Sequence, residues 1–355
     1  MALAARAEAR SLRWPGAVGL AVSVLLLWWT LHDLDLGEVA GHVGRARPLP
    51  FLVAVLLATV TFPLRTIRWR YLLQANGAML PTIPLWHATA IGFMANNLLP
   101  ARAGELARAY AARQLTGVRF TAAVGSVAVE RVFDGLILVG LLALGVAWGG
   151  FSGATTVGGA SLARVTTLGV LVFISALLAG FWIVHWPGPA LRMAHAVIER
   201  LLPRRWATRV FAVVEGLLEG LGALKSPRRF ALVILWSAVL WLCNAASFAL
   251  GFVAMGLDLP PSAPLLLLGL IAFGVAIPSS PGFFGPFEAI TRATLALYGV
   301  EPVRAVSFAV AYHIAVFLPI TILGLWSLSR AHLHLADLKK AGGDAEAAGA
   351  SESRP

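Results

Sequence analysis

Charge is what this sequence has least of. Only 13% of its 355 residues are Asp, Glu, Lys or Arg, about half the roughly 25% of a soluble domain, which is too little polar surface to cover a water-soluble globule. Cysteine is nearly absent: Cys243 stands alone in an apolar run, which excludes an intramolecular disulfide and any cysteine-based metal or redox motif. The eight histidines show neither HExxH nor Cys/His spacing, so no metal or other cofactor is expected. Acidic residues number 17 against 28 basic ones, a net charge of +11 and a pI near 11.1. That balance suits nucleic acid only where the basic residues form a soluble face. Here they sit at the ends of apolar segments, and nucleic acid is not expected as a partner.

What the chain has in abundance is apolar length: 59% hydrophobic residues and a mean hydropathy of +0.80. A helix needs about 20 apolar residues to cross a bilayer, and segments near that length run over 15–31, 48–64, 121–148, 165–186, 230–255 and 303–329. The first follows Arg6, Arg10 and Arg13 like a signal peptide, but no small-residue cleavage site comes after it, so it reads as a retained span. Trp14, Trp28, Trp29, Trp148, Trp182, Trp186 and Trp326 fall near segment ends, where amphipathic rings prefer the membrane interface. The pattern predicts an all-α polytopic integral membrane protein with about six full spans.

Two shorter apolar stretches, 85–99 and 265–277, end in Pro- and Gly-rich breaks and are each followed by a short helical segment. Backbone broken inside a membrane is tolerated only where protein or a watery cavity satisfies it, so both read as re-entrant hairpins. Charge agrees. With both hairpins entering and leaving on one side, the segments 1–14, 65–74, 100–120, 187–229 and the tail from 330 sum to +13, and the opposite set sums to −1. Positive loops stay inside, which places both termini in the cytoplasm of a cell (inner or plasma) membrane. Within 190–225, Val210, Val213, Val214, Leu217, Leu218 and Leu221 recur at helical spacing; this suits an amphipathic helix either on the inner leaflet or packed on the bundle. Residues 1–337 thus form one membrane domain, and 338–355, rich in Ala, Gly, Glu and Ser, read as a disordered tail.

The chain also repeats itself. Ala75, Gly77, Leu80 and Pro81 recur as Ala254, Gly256, Leu259 and Pro260, and with small gaps Pro84, Ile91, Phe93, Pro100 and Gly104 match Pro264, Ile271, Phe273, Pro281 and Gly285. The units, about 48–148 and 230–329, are separated by one unmatched span, which turns the second copy upside down. Inverted repeats with interrupted helices at matching positions mark transporter folds whose substrate site lies between the copies.

Charges inside the apolar segments supply the candidate site. Glu130 and Asp134 are one helical turn apart on one face, and Arg131 is spaced to pair with Asp134. Ionisable groups at such depth usually face a cavity or one another, so a structural ion pair and a binding role both fit. At the first break, Arg102, Glu105 and Arg108 lie at three-residue spacing on a helix starting near Pro100, whose N-terminal amides could hold a phosphate with Arg102; the same arginines also suit snorkelling to the surface. Arg65, Arg68 and Arg70 mark a span end, with Arg68 able to face a cavity. At the second break Pro281, Gly282 and Gly285 permit close backbone approach, Glu288 and Arg292 follow one turn apart, and His313 takes the place of Arg131. The candidate substrate-binding set is Arg68, Asn97, Arg102, Glu105, Arg108, Glu130, Arg131, Asp134, Gly282, Glu288, Arg292 and His313.

Four ordered segments, Arg68-Trp69, Asn97-Leu98-Leu99-Pro100-Ala101-Arg102-Ala103-Gly104-Glu105, Glu130-Arg131-Val132-Phe133-Asp134 and Pro281-Gly282-Phe283-Phe284-Gly285-Pro286-Phe287-Glu288, resemble the signatures of the lysylphosphatidylglycerol synthase transmembrane-region, or flippase-like domain, family. The resemblance covers nearly the whole chain outside the tail and implies a lipid-handling integral membrane protein. Phe283 stands where that family usually has a second glycine, and His313 where an arginine is expected. No soluble aminoacyl-transferase domain follows, so synthase activity is not inherited from the label.

The function expected is translocation of an anionic phospholipid or lipid-linked sugar between leaflets, without enzymatic chemistry. The alternatives are a polyprenol-phosphate-dependent glycosyltransferase, suggested by Asp33-Leu34-Asp35 after the first span, or an accessory subunit partnered with a lipid-modifying enzyme. Oligomeric state is not legible.

Overall fold

The computed structural model describes residues 13–73, 80–99, 103–151, 155–157, 159–186, 226–274, 280–335 and 337–338, with isolated positions between 188 and 200. The tip of the first break, with Arg102, most of 190–225 and the tail beyond Leu338 lie outside the described residues. The elements are α1 (Arg13–Leu31), α2 (Leu36–Gly44), α3 (Pro48–Leu73), α4 (Thr82–Leu98), α5 (Gly104–Thr116), α6 (Phe120–Gly149), a two-residue β pair of Thr156–Val157 with Ala160–Ser161, α7 (Leu162–His185), α8 (Pro227–Ala254), α9 (Ser262–Gly274), a 3-10 turn at Pro281–Phe283, α10 (Pro286–Ala296) and α11 (Pro302–Arg330). This is an all-α membrane protein. Among the described residues four helices, α3, α6, α8 and α11, are long and apolar enough to cross a bilayer, or five if α1 and α2, bent by 83°, make one span. Leu52, Leu56, Leu144, Leu235, Leu242, Leu318 and Ile322 of these helices remain exposed, the apolar outer face that a lipid solvent requires.

The first short apolar stretch ends where Pro and Gly predict, α4 stopping at Leu98; α9 is described as far as Gly274, and α5 and α10 pack back on α4 and α9. The first return is tight because Gly104 lies against the Gly92 backbone: a Cβ on Gly104 would stand 2.0 Å from the Gly92 carbonyl oxygen. Asn96 closes the turn by accepting the Gly104 N–H at 2.9 Å.

Hydrogen bonds gather the chain into two ends. At one, the Arg47 N–H reaches Ala254 O at 2.8 Å, Arg304 reaches Gly256 O at 2.6 Å and Ser307 reaches Val39 O at 3.3 Å. At the other, Arg70 donates to Leu80 O at 2.7 Å, while Leu73, Val118, Val233, Leu328 and Leu338 share one apolar cluster with α4 and α5. A second cluster of Phe248, Phe252, Phe287, Phe308 and Tyr312 packs around α9 and α10. Between the ends the principal contacts come in matched sets. α3 packs on α8; α4 packs on α11 as α9 packs on α6; α5 meets α6 as α10 meets α11; and α3 meets α4 as α8 meets α9.

One boundary differs from expectation. The apolar run ending at 64 continues as helix to Leu73, so Arg65 and Arg68 do not mark a span end. Both are buried, because carboxylates on α6 offer them partners inside the bundle. Arg108 is buried too, so part of the positive charge counted as surface charge on the cytoplasmic side is internal.

Candidate functional site: a buried arginine–carboxylate cluster

The site is built on α6. Helical spacing puts Glu130 and Asp134 on the face turned toward α3 and α5, and both are buried. Arg68 of α3 spans the two: its Nη1 bonds Asp134 Oδ1 at 2.5 Å and its Nη2 lies 3.2 Å from Glu130 Oε1. Glu130 also accepts Arg108 Nη1 of α5 at 2.9 Å and Arg131 Nη2 at 2.8 Å. Asp134 faces Arg65 at 3.5 Å, Arg131 at 3.4 Å, as the sequence spacing predicts, and the Trp241 indole N–H at 2.9 Å.

Aromatic rings and hydroxyls take the remaining faces. Arg108 lies over the Trp69 ring at 3.8 Å, Trp69 donates to Ser126 at 2.8 Å, Arg65 stands between Phe93 and Trp241, and Arg68 donates to Ser237 at 2.9 Å. A cation over an indole face gains from the ring quadrupole most when desolvated. Four guanidinium groups thus face two buried carboxylates. Among the described residues Arg65 Nε, Arg68 Nε and Arg108 Nε and Nη2 are buried without hydrogen-bond partners, as is Glu130 Oε2. The surplus is cationic.

The cluster has a mouth. Arg131 and Glu105 side chains are 40% and 37% exposed, 3.7 Å apart, whereas Glu130 is fully buried. An anion arriving there would meet Arg131 first, with the other arginines behind it.

Of the predicted site residues the structure brings Arg68, Glu105, Arg108, Glu130, Arg131 and Asp134 together. Asn97 stands apart, donating to Thr321 Oγ1 of α11 at 2.8 Å. Glu288, His313 and Gly282 form a second group: His313 Nδ1 meets Glu288 Oε1 at 2.6 Å and its Nε2 meets Gly282 O at 2.9 Å. The second break reaches α4, and Phe317 of α11 lies beside both Gly282 and Asn97. Arg292 does not pair with Glu288 one turn away. It takes Asp33 in a bidentate pair at 2.8 and 2.5 Å and the Thr30 carbonyl at 2.7 Å, clamping the end of α1. Those hydrogen bonds from Arg292 hold the Asp33 carboxyl down to about 2. Asp35 caps α2 by accepting the Gly37 N–H at 2.7 Å. Arg65, Trp69, Ser126, Ser237 and Trp241 are site residues that sequence reasoning missed. The available signal was helical spacing: Arg65 lies three residues from Arg68, and Ser237 and Trp241 are one turn apart within the long apolar run of α8.

Phe283 explains its own oddity. Its φ is +62°, next to Gly282 at +72°; the break needs two left-handed residues in a row, where glycine costs least. Among the described residues no group of three or more His, Cys, Asp or Glu side chains is placed to hold a metal ion.

A helical bundle with a buried arginine–carboxylate cluster between a long helix and a helical hairpin defines a class of polytopic membrane protein. Residues 16–324 match the family described as the lysylphosphatidylglycerol synthase TM region, and the chain belongs to that family. It is similar to "Glycosyltransferase AglD" of Haloferax volcanii, 30% identical over 331 residues that cover 86% of this chain and 52% of that protein. The chain therefore spans about half the length of this relative. It is also similar to two proteins named "UPF0104 membrane protein" of Methanothermobacter thermautotrophicus. One is 25% identical over 86% of this chain and 90% of the relative, the other 25% identical over 81% and 85%.

Proposed function

We propose that the chain translocates an anionic phospholipid or lipid-linked sugar between leaflets, the headgroup entering at Arg131 and Glu105 and exchanging with carboxylates for the guanidinium groups of Arg65, Arg68 and Arg108. The observation that carries this reading is the surplus of guanidinium over carboxylate in a membrane-embedded cluster with a half-exposed mouth. A structural ion network alone would be favoured by balanced charge, because unpaired buried cations are expensive. An apolar cavity of about 590 Å³ lined by Leu26, Trp29, Phe273 and Ile290 gives room for a lipid chain beside the second hairpin.

The architecture belonging to this reading has six full spans (α1, α3, α6, α7, α8 and α11) and two re-entrant hairpins in an inverted repeat, with both termini cytoplasmic. The matched contacts of the two helix sets support it, since a pseudo-twofold axis would pair α3 with α8 and exchange α4 on α11 for α9 on α6. The test is reconstitution in vesicles with fluorescent phosphatidylglycerol, its translocation read by leaflet-selective quenching. Wild-type protein is expected to accelerate exchange and Arg131→Ala to slow it about tenfold or more; equal rates would overturn the reading.

The similarity to a relative named as a glycosyltransferase favours one other reading, that the chain itself transfers a sugar. Against it, the acidic pair after the first span is engaged in structure, Asp33 by Arg292 and Asp35 by a helix cap. In our reading the chain handles the lipid, and sugar or aminoacyl chemistry belongs to a partner lipid-modifying enzyme.

A further inference from the structure

The second hairpin carries an ionisable pair separate from the arginine cluster. His313 of α11 stands between two acceptors, the Glu288 carboxylate at 2.6 Å and the Gly282 carbonyl at 2.9 Å. A neutral imidazole has one N–H and one bare nitrogen. Since both ring nitrogens meet oxygen, one proton must lie on each contact, so the pair as seen holds one proton more than a neutral histidine beside a carboxylate. The Gly282 carbonyl has no proton to give, so that contact takes the Nε2 proton, and the proton between Nδ1 and Glu288 lies on the ring or on the carboxyl. The ring is further held by Phe284, stacked at 4.4 Å, and by Phe287 at the same centroid distance.

The two contacts differ in how firmly they are anchored. Glu288 is fixed from its other oxygen, which accepts the Gly285 N–H at 2.7 Å. Gly285 is pressed against the Ser23 carbonyl of α1, with 2.6 Å left for a Cβ, and its φ is +99°. Gly282 lies on a three-residue turn next to a left-handed phenylalanine. Loss of the proton to water leaves neutral imidazole and carboxylate, with a bare nitrogen facing one of the two oxygens. The carboxylate stays and the glycine yields.

Among the described residues, the other charges on α11 lie near its ends, Arg304 bonded to Gly256 O and Arg330 over the Trp326 ring. On the elements packed against the pair, α9 has no ionisable residue and α1 has only Arg13 at its start. On α10, Arg292 is engaged by Asp33. Tyr312 on α11 is bonded to Ser247, His87 on α4 to Ser327 near the far end of α11, and Arg65 and Arg68 on α3 to Asp134. Glu38 and His42 of α2 are at the end of the bundle where Val39 meets Ser307.

We propose that Glu288 and His313 form a proton-binding site whose occupancy fastens the second hairpin break to α11, and that gain and loss of this proton gates lipid movement. The gating half rests on the translocation reading; the proton site does not. It gives the two halves different chemistry: the first pairs its glutamate with arginines that stay charged, the second with a histidine that does not have to.

The test has two arms. In nanodiscs without added substrate, ¹⁵N-histidine spectra of the full chain are expected to show two hydrogen-bonded protons on the His313 ring. Glu288→Gln can donate its amide N–H to Nδ1, so the contact survives with one ring proton fewer. A wild-type ring with one bare nitrogen beside an ionised Glu288 carboxylate, read from its ¹³C carboxyl shift, overturns the proposal, whatever transport shows. In vesicles carrying fluorescent phosphatidylglycerol, an imposed pH difference is expected to change the wild-type rate about tenfold and the rates of Glu288→Gln and His313→Gln less than about twofold. Wild-type transport indifferent to pH overturns the gating. If no protein moves the lipid, the translocation reading fails, and the ring spectra still decide the proton site.

Discussion

Arg131 and Asp134 sit three residues apart and should fail differently. Asp134 is buried and holds Arg65, Arg68 and the Trp241 indole; removing it strands cations in a low-dielectric interior, a cost of about 3–5 kcal/mol. Asp134→Ala is therefore expected to lower the melting temperature and the folded yield sharply. Glu130→Gln should do likewise, since Glu130 meets Arg68, Arg108 and Arg131. Arg131 is 40% exposed, so Arg131→Ala should melt like wild type while headgroup capture fails. An Arg131→Ala protein that melts early would make this residue part of the scaffold. The acidic pair after α1 makes a different prediction. Arg292 stabilises the ionised Asp33 carboxylate, and with its carboxyl held at about 2 that contribution is complete above the ordinary carboxylate range. It is lost progressively as pH falls from the ordinary carboxylate range through about 2. The Asp33→Asn, Asp35→Asn double variant should lose this stabilisation at neutral pH, should lack its fall in acid, and should keep activity in complementation. Loss of activity with normal expression would favour the glycosyltransferase reading.

At the scale of elements, the hairpins depend on backbones that touch. Gly104→Ala would drive a Cβ to 2.0 Å from Gly92 O and 2.5 Å from Asn96, and neither backbone can retreat without parting α4 from α5. The expected cost is about 2–3 kcal/mol, read as a lower melting temperature, whereas Gly41→Ala on α2, with open space around it, should be neutral or slightly stabilising. The end of α4 was legible because Pro and Gly stop helices by local chemistry alone. The end of α3 was not. Arg65, Arg68 and Arg70 look like a terminus when read along the chain, and only carboxylates supplied by α6 allow the helix to carry two of them inward.

For the whole molecule, the proposed orientation is testable by labelling. In a Cys243→Ser background, single cysteines at the exposed Arg45 and Asp258 should react with an impermeant maleimide from outside, and cysteines at the exposed Arg113 and Arg228 only after permeabilisation. The reverse pattern would overturn the charge-based orientation. The sequence alone determined that the chain is an all-helical membrane protein, where its apolar segments lie and that Glu130 and Asp134 share a helix face, because solvent choice, apolar periodicity and helical spacing are local properties. Tertiary structure decided which cations those carboxylates receive. It left Arg131 and Glu105 at the mouth and put Arg65 inside, gave Arg292 to Asp33 rather than to Glu288, and set His313 between Glu288 and a glycine carbonyl 31 residues away. Partners so distant in sequence are fixed by how helices pack, and no spacing along the chain encodes that choice.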